Sequence, residues 1–204
     1  MMANLAPLER HRSNPFATRY TRPGAVPPLD QAGDPLDVGV VLTALERHRL
    51  VAIVGPHGTG KSTLLAALAD RLASERRPAE FVRLRRRRDG LRLLAAFGRG
   101  AADSTLLVDG WERLGWPWSF LAVAIARLHG RRMVVTSHRS SGMAVAARTA
   151  GTLPLLTAIV ARLPAHDGRI TEADLADAFT RHGENLRDAL GDLYDRYEVR
   201  ARRS

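Results

Sequence analysis

Residues 55–63 read GPHGTGKST and contain the chain's only lysine; the composition gives 31 Lys+Arg, and every other member of that set is arginine. The segment fits G-x-x-x-x-G-K-[ST], with Gly55, Gly60, Lys61 and Ser62 in the fixed positions. Each residue type has a use there. Glycines let the backbone curl until successive N–H groups converge on an anion. An ammonium is a compact point charge on a flexible stem, and arginine's planar fork is a poor substitute between phosphate oxygens. A serine hydroxyl is a hard oxygen donor suited to Mg²⁺. Lysine is needed at this one site, and arginine serves elsewhere. Gly55, Pro56, His57, Gly58, Thr59, Gly60, Lys61, Ser62 and Thr63 are expected to hold the phosphates of ATP, with His57 at a variable position and given no catalytic role.

Other residues with matching chemistry lie downstream. STLLVDG (104–110) ends an apolar run on Asp109, the carboxylate expected to share Mg²⁺ with Ser62. Glu112, in DGWER, is the next acid along and the candidate base for activating water. VVTSH brings Thr136, Ser137 and His138 to the end of another apolar run. GENLRDAL places Arg187 early in an expected helix.

Those residues need a frame. LVAIVG (50–55) and STLLVDG are continuous apolar runs, the pattern of strands buried on both faces of a parallel sheet. KSTLLAALADRLAS (61–74) sets Leu64, Leu65, Leu68 and Leu72 on one helical face, so Lys61 opens a helix whose positive end adds to anion binding. EFVRLR (80–85), RMVVTSH (132–138) and MAVAAR (143–148) read as further strands. VGVVLTALERHR (38–49), DGLRLLAAFGRG (89–100) and PWSFLAVAIARLHG (117–130) read as helices. Strands alternating with helices predict an α/β fold with a doubly wound parallel sheet of about five strands. After residue 150 the pattern is helical only, over 153–163, 171–183 with Thr171 as N-cap, and 185–197. The expected organisation is an irregular Pro- and Arg-rich extension over 1–37, a phosphate-loop core over 38–150, and a small helical lid over 151–204.

The loop, Asp109 and the polar strand end at 136–138 resemble the P-loop NTPases, and more narrowly the additional-strand class that includes the AAA+ ATPases, over roughly residues 38–197. The resemblance implies ATP and Mg²⁺ on a Walker A loop, with Asp109 as the Walker B carboxylate. It implies Ser137 as the sensor 1 residue beside the γ-phosphate and Arg187 as a sensor 2 arginine in a reduced lid. The implied activity is hydrolysis of ATP to ADP and phosphate, driving a conformational change in a partner, with Lys61, Glu112, Ser137 and Arg187 as the catalytic set. It also implies that NPFATRYTRPG (14–24) folds over the adenine, and that Arg148 serves as an arginine finger if the chain oligomerises. The sequence departs from the pattern at one point. AAA+ proteins carry Asp-Glu at Walker B, and here Gly110 follows Asp109. Slow, partner-activated or absent hydrolysis therefore stays open, as do a nucleotide-dependent switch and a small-molecule phosphotransferase.

Composition bounds the rest. The 204 residues suit one domain with a small appended lobe, and the hydrophobic content of 45% is enough for a core. No apolar stretch is long enough to span a bilayer, and MMANLAPLERHRSNPF lacks the apolar centre of a secretory signal. The absence of cysteine fits a reducing cytoplasm. The net charge of +10 suits a nucleic acid partner, or reflects a plain bias toward arginine. RLRRRRDG (83–90) reads as a phosphate-backbone contact or as protection of an edge strand. WERLGWPW holds all three tryptophans, as a partner or base-stacking surface or as an anchor for the next helix. Expected partners are the nucleotide, with a protein, a homo-oligomer or nucleic acid left open, and no membrane insertion.

Overall fold

The computed structural model describes residues 14–99, 104–140, 142–165 and 168–203. Residues 1–13 of the expected extension, Gly100 at the end of the 89–100 helix, and residues 166, 167 and 204 of the expected lid lie outside the described residues. The chain divides into two units, one built on a sheet and one helical.

The sheet unit comprises Asp37–Gly55 and Gly60–Thr149. Its elements are α1 (Gly39–His48), β1 (Leu50–Val54), α2 (Lys61–Ser74), β2 (Ala79–Arg83), α3 (Gly90–Arg99), β3 (Thr105–Asp109), α4 (Trp116–Leu128), β4 (Arg132–Ser137) and β5 (Ala144–Arg148). The strands form one sheet in the order β2-β3-β4-β1-β5, parallel throughout. The expected five-stranded doubly wound α/β sheet is the observed one. β4 sits between β1 and β3, so the carboxyl ends bearing Gly55, Thr136 and Asp109 come side by side along one edge.

Both faces of the sheet are covered, which explains its unbroken apolar runs. On one face Ala52, Val54, Leu106, Val108, Met133 and Val135 pack with α3 and α4. Alternation along each strand sends Val51, Ile53, Leu107 and Val134 to the other face. There α2 lies along β1, β2, β3 and β4. Leu64, Leu65, Leu68 and Leu72 of α2 are at most 1% exposed, which contributes about 1.5–3 kcal/mol per side chain. At the N-terminal end of β4, the buried Arg131 donates to the Ala96 and Phe97 carbonyls and to the Ser104 hydroxyl, so it closes the α3 C-terminus.

β2 is an edge strand, and the arginine run begins on it. Asp89 accepts the backbone N–H groups of Arg85 and Arg86 at 2.7 and 2.9 Å, which fixes the turn into α3 and holds its carboxyl below the usual range. The tryptophans divide by role. Trp111 is buried in the core, Trp118 packs partly buried against it, and Trp116 is 80% exposed.

The helical unit gathers residues 14–36, 56–59 and the described residues of 150–203. Its longer helices are α5 (Leu153–Val160), α6 (Glu172–His182) and α7 (Leu186–Ala201). Residues 14–36 hold one short helix, Thr18–Thr21, and are part of this unit's core. Phe16 is 3% exposed there, with Leu156, Ala178, Leu193 and Tyr197. Asn14 donates to the Glu198 carboxylate at 2.8 Å and so ties the start of the described chain to α7. Thr171 caps α6 reciprocally with Asp174, which also receives both guanidinium nitrogens of Arg200 at 2.6 and 2.7 Å. Among the described residues no helix is long and apolar enough to cross a membrane.

The bond with Arg200, followed by those with Thr171, holds the Asp174 carboxyl far below the usual carboxylate range. Its contribution to stability is therefore complete above about pH 4, the unfolded-chain value, and is lost as acid titrates the folded-state group. Asp174→Asn should lower unfolding stability by about 2 kcal/mol at pH 7, with a smaller deficit at pH 2.5. Urea unfolding at both pH values checks this; an equal deficit at each would show that ionisation contributes nothing.

Candidate functional site

The phosphate-loop motif straddles the units in the chain: Gly55 and residues from Gly60 onward belong to the sheet unit, and Pro56–Thr59 to the helical unit. In the sheet unit β1 delivers the loop at Gly55, whose N–H donates to the Ser137 carbonyl at 3.2 Å. Gly60 stands at φ +89°, a left-handed conformation, and is the N-cap of α2 with no side-chain cap. A Cβ at Gly60 would meet no atom within 4 Å, so space is open at the head of the helix. Lys61 is the first residue of α2 and only 8% exposed; its ammonium donates to the Gly55 carbonyl at 2.7 Å across the loop. Ser62 and Thr63 follow half-buried in the first turn.

Asp109 ends β3 and collects the neighbouring polar groups. Ser62 Oγ and Thr136 Oγ1 each donate to Asp109 Oδ1 at 2.8 Å. The Gly110 N–H donates to Thr136 Oγ1 at 2.9 Å, which orients that hydroxyl toward the carboxylate. Arg83 Nε approaches Asp109 Oδ2 at 3.3 Å. The structure thus joins Ser62 and Asp109, as the sequence suggests. Of the polar strand end it brings Thr136, and not Ser137, to Asp109, and it adds Arg83, which sequence reasoning did not assign to the site. Ser137 is elsewhere: its carbonyl serves Gly55, and its hydroxyl accepts the Arg139 N–H at 3.4 Å. Strand alternation is the signal that separates Thr136 from Ser137. Arg83 is paired with Asp109 by the β2–β3 register, which no local pattern in the sequence reveals.

Gly110 has φ +89°, and a Cβ there would lie 2.7 Å from the Leu84 carbonyl oxygen. The position opposes any side chain, so the acid of the Asp-Glu pattern has no room in this backbone. Glu112 sits in a short 3-10 turn, Trp111–Arg113, with Oε1 3.1 Å from His138 Nε2. Among the described residues Glu112 is bonded to His138 alone, not to Ser62, Lys61 or Asp109.

Within the helical unit, Thr59 Oγ1 donates to the Pro56 carbonyl at 2.9 Å and closes the tip of the loop. Pro56 and His57 are exposed. Gly58, at φ +74°, lies against the start of α7: a Cβ there would be 2.0 Å from Asn185 Oδ1 and 3.1 Å from the Arg187 N. The Arg187 side chain is exposed, with no ion pair among the described residues. Arg148, at the end of β5, is also exposed. No group of three or more His, Cys, Asp or Glu that could hold a metal occurs among the described residues.

No protein-family model matches the chain, and no curated protein matches it significantly. Solved structures do match its fold. One is a DNA replication initiation factor, 16% identical with a TM-score of 0.54, covering 80% of this chain and 63% of its own. Another is a mutant of Thermotoga maritima RuvB, 18% identical with a TM-score of 0.51, covering 74% of this chain and 58% of its own. The chain spans less than two thirds of either neighbour's length. The likeness to both structures is one of fold, a parallel α/β sheet with helices.

The bonding at Asp109 predicts different costs for adjacent hydroxyls. Thr136→Val leaves the Gly110 N–H without its acceptor and should lower unfolding stability by about 1–2 kcal/mol. Ser137→Ala loses only a long contact and should cost under about 0.5 kcal/mol. Urea unfolding of both variants tests the assignment; the reverse order would contradict it.

Proposed function

We propose that this chain binds Mg·ATP on residues 55–63 and hydrolyses it to ADP and phosphate, using the cycle to change the conformation of a partner. The observation that carries this reading is the meeting of Lys61, Ser62 and Asp109 at the head of α2, behind left-handed glycines. The ammonium of Lys61 suits the β/γ-phosphates, and the uncapped N-terminus of α2 adds its positive end. Ser62 Oγ and Asp109 are hard oxygen donors already within 2.8 Å of each other, a set that fits Mg²⁺ completed by water and phosphate. When bound, the metal supplies electrostatic stabilisation of the transferring phosphoryl group.

The remaining roles follow from placement. Thr136 holds Asp109 and takes the polar strand-end position beside the γ-phosphate, with Ser137 steadying Gly55 through its carbonyl. Arg187, exposed at the start of α7 beside Gly58 and without an ion pair among the described residues, is the candidate sensor 2 arginine. Glu112 is the base that polarises water, oriented by His138. A second reading has support in Gly110: with no acid adjacent to Asp109 and Glu112 held by His138, the chain acts as a nucleotide-dependent switch with little turnover.

Calorimetry with Mg·ATP and steady-state phosphate release separate the two. The native chain should bind, and Lys61→Ala should lose at least about tenfold in affinity, or 1.4 kcal/mol. Glu112→Gln should keep binding and lose about a hundredfold in release. No binding by the native chain sinks both readings. Tight binding with negligible release, unaltered by Glu112→Gln, selects the switch.

A further inference from the structure

The arginine run and the tryptophan cluster are separate features of the sequence, and the sheet unit brings them together. Trp118 of α4 lies against the head of α3: a Cβ at Gly90 would be 2.9 Å from its ring. The turn after β3 meets the end of β2 in the same way. A Cβ at Gly110 would be 2.7 Å from the Leu84 carbonyl oxygen and 3.8 Å from Arg113 Cδ. Residues 83–92 and 109–118 therefore touch at two points, and three residues separate Arg113 from Trp116 at most about 10 Å along the chain.

Every acid in these two segments is already engaged. Asp89 is buried and accepts the Arg85 and Arg86 N–H groups, with the more distant charges of Arg92 and Arg88 acting on the same carboxyl. Asp109 takes Ser62, Thr136 and Arg83, and Glu112 is held by His138. Arg85, Arg86, Arg88, Arg92 and Arg113 are exposed, with no ion pair among the described residues. Protection of a sheet edge explains charge on β2 itself, but β2 ends at Arg83 and these five lie beyond it. Asp89 binds the backbone of the turn, so it fixes where Arg85 and Arg86 leave the chain without pairing with their guanidinium groups.

Guanidinium groups held on a fixed turn suit the phosphates of a nucleic acid backbone. Trp116 supplies what phosphate contacts lack. It is 80% exposed, and an indole ring open to solvent beside cations is a stacking surface for a base. Bases in a duplex already stack on one another, so the ring favours a strand whose bases are unpaired.

We propose that the surface shared by residues 85–92 and 113–116 binds single-stranded nucleic acid, with phosphates on Arg85, Arg86, Arg88, Arg92 and Arg113 and an unpaired base on Trp116. The inference goes beyond the nucleotide reading above. None of these six residues is assigned to ATP or Mg²⁺, and the test contains no ATP, so each reading can fail without the other.

The test is fluorescence anisotropy of labelled oligothymidylate and oligouridylate, each roughly 15 nucleotides long, with the full chain in about 50 mM salt. Saturable binding of either strand is expected, the tighter one naming the sugar. Log K should fall against log salt concentration with a slope of about −3, as for four or five phosphates on a single strand. Arg86→Ser combined with Arg88→Ser should bring the slope to about −1.5 and weaken binding at least about tenfold. Trp116→Ala should weaken it at least about fivefold with the slope unchanged. The strand should quench tryptophan emission in the native chain and much less in Trp116→Phe, which keeps most of the affinity. Lys61→Ala should bind the strand as the native chain does, and equal urea midpoints should show that the arginine and Trp116 variants are folded. Four results overturn the proposal: no saturable binding of either strand, a duplex or polyglutamate competing as well as the unlabelled strand, affinity unaltered by the arginine pair or by Trp116→Ala, or loss of binding in Lys61→Ala, which would put the strand on the phosphate loop.

Discussion

The carboxylate of Asp109 joins elements that lie far apart in the sequence. Its Oδ1 takes hydroxyls from α2 and β4, and its Oδ2 faces a guanidinium from β2. A half-buried carboxylate must find such donors or lose more in desolvation than the fold can spare. The requirement acts on the whole sheet, because Arg83 reaches Asp109 only in the observed β2–β3 register and Thr136 only with β4 beside β3. Sheet order, helix placement and the head of α2 are thus set together around one side chain.

Much of this was legible in advance for a simple reason. Buried parallel strands and amphipathic helices write their periods directly into the chain, and LVAIV, TLLVD and the leucines of α2 left little choice. The loop was legible because its chemistry demands particular residue types. What stayed hidden depends on relations between strands. Thr136 and Ser137 are equally polar in the sequence, and only the pleat decides which one turns to Asp109. Arg83 looked like one arginine in a run, and the register gave it a carboxylate. Residues 14–36 carry no sustained amphipathic period, so the burial of Phe16 among the helices had no local signature.

The arginine bias has a structural counterpart in the helical unit. Arg196 bonds Asp174, Asp177 and Asp192, and Arg200 takes both oxygens of Asp174. Such forked contacts use guanidinium geometry that an ammonium lacks. Here arginine is chosen for shape as well as charge, the converse of the argument at Lys61.

Gly110 limits which side chains this strand end can carry. Its left-handed backbone and the Leu84 carbonyl beside it oppose every side chain, a glutamate included. A glutamate after Asp109 is therefore not a one-residue change; the Leu84 carbonyl just beyond β2 must move first. Any acid that serves this strand end must come from another position, as Glu112 does beside His138.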